Sequence, residues 1–366
     1  MSDTYTQDLD GTQDLAGQQP QAGPRRERGP SRRHKHHRLV RILIGALASV
    51  VVVVGMVAGA GFLYLNHLVS AIPRIHGIAA LTAANRPVMP AATRRSMTVL
   101  LAGSDVLPSV TRDGGLLGSS RSPQHMSGLI ALVHLNALHH GGAVVSIPPN
   151  AVVDVPGFGQ MQLWKTLSLG GPSLLIQTVE HLTHVRIDHY SVLDFDGATN
   201  VVGAMDGVGV TVPFAFTSGG VSFPAGLNHL TSSTVLPYVR QPGVSEIGRV
   251  LLEQNLIRAM LTKIAQGHLL VTDVRVLHAV ASALSVDSNF DNPQLESLAQ
   301  RLSNLSGSDG VFVSAPTVDG SPTSGGVGPV HLNTSISNRL WQAIRHDSVA
   351  AFAQQYPFTV TPDAPG

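Results

Sequence analysis

Between Ile42 and Leu65 the chain is an almost unbroken run of Val, Leu, Ile, Ala and Gly, with only Ser49 mildly polar. About two dozen apolar residues exceed the roughly 20 that a helix needs to cross a bilayer. A cleaved signal peptide carries a shorter apolar region, roughly 7–15 residues, and does not follow so long a polar leader. The run therefore reads as one transmembrane helix. Ahead of it Arg25, Arg26, Arg28, Arg32, Arg33, Lys35, Arg38 and Arg41 form a basic block interleaved with His34, His36 and His37. Only Arg74 follows the run closely. The positive-inside rule then keeps the N-terminus in the cytoplasm and places everything after Asn66 outside. The expected location is the cell membrane, single-pass, with the main domain extracytoplasmic. Nucleic-acid binding is the other reading of a basic run. Beside an apolar span it gives way to a topology signal that can also touch anionic lipid.

Met1 to Gly23 is rich in Gln, Asp, Gly and Thr and lacks the apolar surface needed to fold. The expected organisation is a disordered basic cytoplasmic tail at 1–41, the membrane helix at 42–65, a connector at 66–96, an extracytoplasmic domain at 97–348 and a C-terminal tail at 349–366. Core material is plentiful, with 43% hydrophobic and 13% charged residues. The absence of cysteine excludes disulfides, thiolate metal sites and cysteine nucleophiles. An aromatic content of 5% argues against stacking platforms for single-stranded nucleic acid, so no nucleic-acid partner is expected.

Within the domain, Thr98–Leu101, Gly128–Asn136, Ala143–Ile147, Asp188–Phe195, Val208–Val212 and Val311–Ser314 read as strands. Helices are expected at Pro172–His184, Asp196–Met205, Ser245–Ala265, Asp273–Leu284 and Pro293–Leu305, with a last helix capped by Asn333 and ending near His346. Thr317–Gly328, rich in Gly, Ser and Pro, reads as a loop. Strands alternating with helices give an α/β domain whose central sheet is covered on both faces.

The stretch Thr98–Asp105, TVLLAGSD, ends a buried strand on a carboxylate. Ligands of open α/β sheets bind beyond the carboxyl ends of strands, where Asp105 could hold a metal or simply cap a loop. Arg240 follows the apolar stretch Val235–Val239, read as a further strand, and Arg249 lies in the first turns of the long helix. An arginine there opposes the helix dipole, a cost that a bound anion would offset. Two guanidiniums near Asp105 would suit a pyrophosphate with a divalent cation. The competing reading pairs both with carboxylates such as Glu246 and Glu253. No H-E-x-x-H zinc motif, nucleophile elbow, Walker loop or dinucleotide fingerprint is present.

Several separated segments, in order, resemble the LytR-CpsA-Psr family of cell-wall glycopolymer transferases. TVLLAGSD is similar to the family's first strand and G-S-D-x-R motif, and VVSIPPNAVVDVPG to its S-I-P-R-D segment. GGPSLLIQTVEHLTHVRIDHYSVLDFDG, MDGVGVTVP, LPYVRQ, EIGRVLLEQ, VFVSAPTVD and NRLWQAIRHD follow in family order. The resemblance implies a central mixed β-sheet flanked by helices on both faces. It also implies transfer of glycopolymer phosphate from a polyprenyl-pyrophosphate carrier to a peptidoglycan acceptor, with an apolar groove for the lipid. Carried over by position, Asp105 would hold Mg²⁺, Arg240 and Arg249 would be catalytic and bind the pyrophosphate, and Gln254 would join them at the substrate. Several charges expected from the family are replaced here by Leu107, Met126, Gly128, Pro149, Asn150 and Leu252, and a lysine by Gln162. Arg112, Asp113 and Arg121 lie nearby in the chain, and Arg121 is the candidate to bind substrate in their place. The alternative is a catalytically inactive member that binds lipid pyrophosphate or partner proteins as a scaffold or regulator.

Overall fold

The computed structural model describes residues 67–84, 86–104, 109–110, 116–117, 126–137, 141–241, 246–267, 269, 273–303, 310–318 and 328–360. The expected membrane span and the basic tail before it lie outside these residues. Among the described residues, no helix is long and apolar enough to cross a membrane.

Seven strands form the central sheet: β1 (Arg74–Ile75), β2 (Met97–Ser104), β3 (Met126–Leu135), β4 (Gly142–Ser146), β5 (His189–Asp194), β6 (Leu284–Asp287) and β7 (Gly310–Ser314). Their order across the sheet is β1-β6-β5-β2-β3-β4-β7. Pairing is parallel for β1/β6, β2/β5 and β4/β7 and antiparallel for the rest, so the sheet is mixed. Consequently β2, β4, β5 and β7 all end at the same edge, and Ser104 is the register partner of Asp194 there.

Eight α-helices are described: α1 (Lys165–Thr183), α2 (Phe195–Ala204), α3 (Val235–Val239), α4 (Glu246–Gln266), α5 (Val274–Ala283), α6 (Asn292–Ser303), α7 (Thr334–Arg345) and α8 (Val349–Gln355). The pleat of β2 sorts its side chains between two cores. Leu100 and Ala102 pack with Leu175 and Val179 of α1, Leu340 and Ile344 of α7 and Phe352 of α8. On the other face, Leu129 and Ala131 of β3 pack with Val201 of α2, Leu256 of α4 and Val276 of α5. Four small two-stranded sheets are added: Ser109–Val110 with Leu116–Leu117, Val152–Val155 with Gly159–Gln162, Val208–Val212 with Gly226–Leu230, and Phe216–Ser218 with Val221–Phe223.

Several expectations need correction. The segment read as a connector adds β1 to the sheet edge, and Ile75, Ala80 and Leu81 are buried in the core. Its apolar residues are spaced too irregularly to announce that. The segment read as a tail forms α8, buries Phe352 and Ala353, and bridges Val360 to Val313. Val235–Val239 is a helix, because Tyr238 and Arg240 donate backbone N–H groups to Thr234 and Leu236. Leu284 begins strand β6 rather than ending α5. Helix α1 starts seven residues before Pro172 and kinks at Gly170–Gly171, where Gly171 takes φ +61°, a conformation that favours glycine.

Candidate functional site

On the face bearing α2, α4 and α5, the sheet and helices enclose a cavity of about 170 Å³ whose lining is wholly apolar. Its floor is Val99 and Leu101 of β2, Val133 of β3, Val144 of β4 and Leu193 of β5. Ile257, Met260, Leu261 and Ile264 of α4, Val280 and Ala283 of α5, and Leu298 and Leu302 of α6 close it over. Apolar walls of this kind gain by leaving water. An apolar ligand seated there would cover them.

The polar rim lies where β2 and β5 end. Leu193 lines the cleft, and its neighbour Asp194 closes β5 and caps α2, its two carboxylate oxygens accepting from the backbone N–H groups of Asp196 and Gly197 at 3.1 Å each. Asp196 in turn accepts from Arg240 Nη2 at 3.1 Å, an ion pair whose side chains stay 62% and 38% exposed. Asp196 of α2 is thus one partner of Arg240, a carboxylate other than the Glu246 and Glu253 weighed from the sequence. Arg240 sits at the C-terminal end of α3, which packs against both α2 and α4. Gly103 of the GSD stretch is needed for packing: a Cβ there would stand 2.6 Å from the Phe195 ring and 2.8 Å from Leu129 Cβ. The β2–β3 register also shifts between Ala102 and Ser104, an irregularity of the kind often found beside functional sites.

Helix α4 joins the two regions. Arg249 is half-buried in its first turn. Residues 249, 253, 257, 260 and 264 recur at helical spacing and share one face. That face begins with Arg249 and Glu253 and continues with Ile257, Met260 and Ile264 of the cleft, some 12 Å further along the axis at Ile257. One helix surface therefore offers a cation for an anionic head and a wall for an apolar tail.

The remaining expected residues are placed as follows. Gln254 is buried, its amide donating to the Val313 carbonyl at 2.8 Å and its oxygen accepting from Ser314 Oγ at 3.0 Å, so it ties α4 to β7. One turn on, the Arg258 guanidinium lies 5.2 Å over the Phe312 ring, and burial pushes its pKa down. Asp105, Arg112, Asp113 and Arg121 lie outside the described residues. Leu252 is fully buried among apolar side chains, and Pro149 and Asn150 are buried just ahead of the 152–162 hairpin in the chain. Asp194 and Asp196 were not anticipated from the sequence, although a carboxylate ending a strand just before a helix, as in Leu193-Asp194-Phe195-Asp196, is a legible cap signature. An apolar groove was implied by the resemblance, but the residues that line the cleft carried no signal beyond an apolar pattern.

The model of the LytR_cpsA_psr family matches residues 76–351. The probable cell wall biosynthesis protein LcpB of Corynebacterium glutamicum is 30% identical over 38% of this chain and 35% of its own length. The polyisoprenyl-teichoic acid–peptidoglycan teichoic acid transferase TagU of Halalkalibacterium halodurans is 28% identical over 47% of this chain and 59% of its own. These matches span about a third to three fifths of the relatives' lengths. Among solved structures, B. subtilis TagV superposes with a TM-score of 0.54 at 18% identity, covering 70% of this chain and 98% of that one. A structure of TagT bound to LIIa-WTA gives 0.53 at 20% identity, covering 73% and 96%. These likenesses establish the fold.

Proposed function

The chain belongs to the LytR_cpsA_psr family, and from that premise we propose that it transfers a cell-wall glycopolymer from a polyprenyl-pyrophosphate carrier to a peptidoglycan hydroxyl. The observation that carries this reading is the α4 face, which runs from Arg249 to the apolar cleft. A polyprenyl pyrophosphate has the matching division: a doubly charged head and a long hydrocarbon tail. The tail would enter between the sheet and α4–α6, and Arg249 and Arg240 would receive the phosphates. Guanidiniums suit that role because their paired N–H groups match phosphate oxygens and keep their charge.

In the proposed reaction an acceptor hydroxyl attacks the phosphorus that carries the glycopolymer. The new P–O bond forms as the phosphoanhydride bond breaks, polyprenyl phosphate leaves, and the hydroxyl proton passes to solvent. Such transfers depend on positioning and on stabilising charge at the phosphoryl oxygens. Asp196 would yield Arg240 to the phosphate, an inexpensive exchange for so exposed an ion pair.

Mg²⁺ belongs to the proposal as well. Among the described residues no group of three or more His, Asp or Glu side chains could hold a metal. Carboxylate oxygen suits Mg²⁺, which commonly takes one or two protein carboxylates and completes its shell with substrate phosphates and water. Asp105 would be that carboxylate, and the ion would neutralise charge on the pyrophosphate. The membrane helix at 42–65 would hold the domain at the outer surface, within reach of a lipid-borne substrate.

A second reading is favoured by Leu252, Pro149 and Asn150, which bury positions where the family carries charge. It makes the protein a scaffold that binds lipid pyrophosphate without cleaving it. A Mg²⁺-dependent assay of phosphoanhydride cleavage and polymer transfer separates the two. The transferase reading expects turnover that Asp105→Ala and Arg249→Ala each abolish. Tight lipid-pyrophosphate binding with no turnover would overturn it in favour of the scaffold.

A further inference from the structure

The opposite face of the sheet carries a second, chemically different pocket. It has a volume of about 600 Å³ and is formed where the 80–88 segment, the turn of the 152–162 hairpin, α1 and α7 meet. The cleft for lipid is wholly apolar, whereas this pocket is mostly polar. Gln177, His181 and His184 line it from α1 at spacings of four and three, so they form one exposed helical row. His184 ends α1 in a left-handed conformation, φ +53°, with its N–H donated to the Glu180 carbonyl.

Charge in the pocket is unequally matched. Arg86 and Glu180 form a buried ion pair at 2.6 Å, and Glu180 also accepts from the Ile187 N–H, so this pair is internally satisfied. His181 stands 3.4 Å from Asp154, both more than half exposed. Arg345, in the last turn of α7, has no such partner. Among the described residues its guanidinium makes no hydrogen bond or ion pair, and its Nε is shielded from solvent. A buried unpaired N–H is unusual in a native protein and marks a place where something else accepts. Arg345 also lines the pocket, so an anion entering it meets the guanidinium charge.

We propose that this pocket is an oxyanion-binding site, in which Arg345 receives a phosphate or carboxylate group and His181, His184 and Gln177 donate to the rest of a small polar ligand. It is separate from the pyrophosphate site and does not rest on the transferase reading. Phosphate and carboxylate offer guanidinium the same paired oxygens. The source of the group is therefore decided by comparing the two anions.

The test is isothermal titration of the full-length protein with inorganic phosphate and, separately, acetate. Arg240→Gln serves as the control that weakens any phosphate binding at the other face. Affinity for at least one anion should persist in Arg240→Gln and fall at least tenfold in Arg345→Leu. Because the Arg345 guanidinium has no partner among the described residues, the melting temperature of that variant should not fall. His184→Asn, which tolerates the left-handed backbone, should weaken binding in a chain that folds as before. Stronger binding of phosphate or of acetate identifies the group. Binding that survives Arg345→Leu and His184→Asn, or binding of neither anion to the Arg240→Gln protein, would overturn the assignment.

Discussion

Arg240 donates to Asp196 at 3.1 Å, joining the end of α3 to the first turn of α2 just beyond the strand that Asp194 closes. The arginine expected to hold phosphate is thus held by a carboxylate on α2, the helix whose Ala198 and Val201 line the apolar cleft. The pair keeps the cation in place and competes with any anionic ligand. Exposed pairs of this kind are worth about 0.2–1 kcal/mol, so the competition is weak. Asp196→Asn should tighten polyprenyl-pyrophosphate binding up to about fivefold, measured by titration. Looser binding in that variant would mean that Asp196 orders Arg240 for the ligand instead of competing with it.

Leu252 occupies a position where family resemblance expects arginine, and restoring the charge is the obvious gain-of-function experiment. The structure predicts that it fails. Leu252 is fully buried in the core shared by α4, α2 and β3. An uncompensated charge there should cost about 3 kcal/mol or more. Urea unfolding of Leu252→Arg should show that loss, with no rise in lipid-pyrophosphate affinity. A stable variant with higher affinity would show that the side chain can swing to the rim.

At the opposite edge of the sheet, Asp347 holds the end of α7 in place. Its carboxylate accepts from Ser96 Oγ at 2.8 Å and the Ala137 N–H at 2.7 Å and meets His134 Nε2 at 2.8 Å, while His134 Nδ1 contacts Thr98 Oγ1 at 2.9 Å. Burial alone would raise the Asp347 pKa, but the hydrogen bonds from His134, Ala137 and Ser96 together bring it below the usual carboxylate value. A lowered folded pKa stabilises the protein above the unfolded value, near 3.9, and that stability is lost as pH falls through the folded pKa. Asp347→Asn keeps the left-handed backbone at φ +53°. Its unfolding midpoint should lie below that of the wild type at pH 7 and approach it as the pH drops below about 4. A gap independent of pH would assign the effect to shape alone.

Much of the fold was legible because its strands are short apolar runs punctuated by Gly and Pro. Thr98–Leu101, Ala143–Ile147 and Val311–Ser314 all lie within observed strands or end one residue past them. What escaped depends on contacts distant in sequence. Arg74–Ile75 is a strand only because Val286 and Asp287 lie beside it. Val235–Val239 is apolar in either secondary structure, and five residues carry no period that separates helix from strand. The place of Arg249 near the start of a long helix was readable. The Asp196 partner of Arg240, 44 residues away, was not. The resemblance implied an apolar groove, but which residues line it was not legible, since a side chain lining a cavity and one filling a core give the same pattern.

Occupation of the cleft between the sheet and α4–α6 by hydrocarbon is the central claim to test. The direct measurement is photo-crosslinking of the full-length protein with a polyprenyl pyrophosphate carrying a diazirine near the end of its tail, followed by peptide mapping. Label should appear on Met260, Leu261 or neighbouring cleft residues of α4, α5 and α6. Val280→Phe, which fills part of the roughly 170 Å³ space, should reduce labelling at least tenfold while leaving the melting temperature within a few degrees. Labelling confined to the α1 and α7 face, or undiminished in Val280→Phe, would contradict the account.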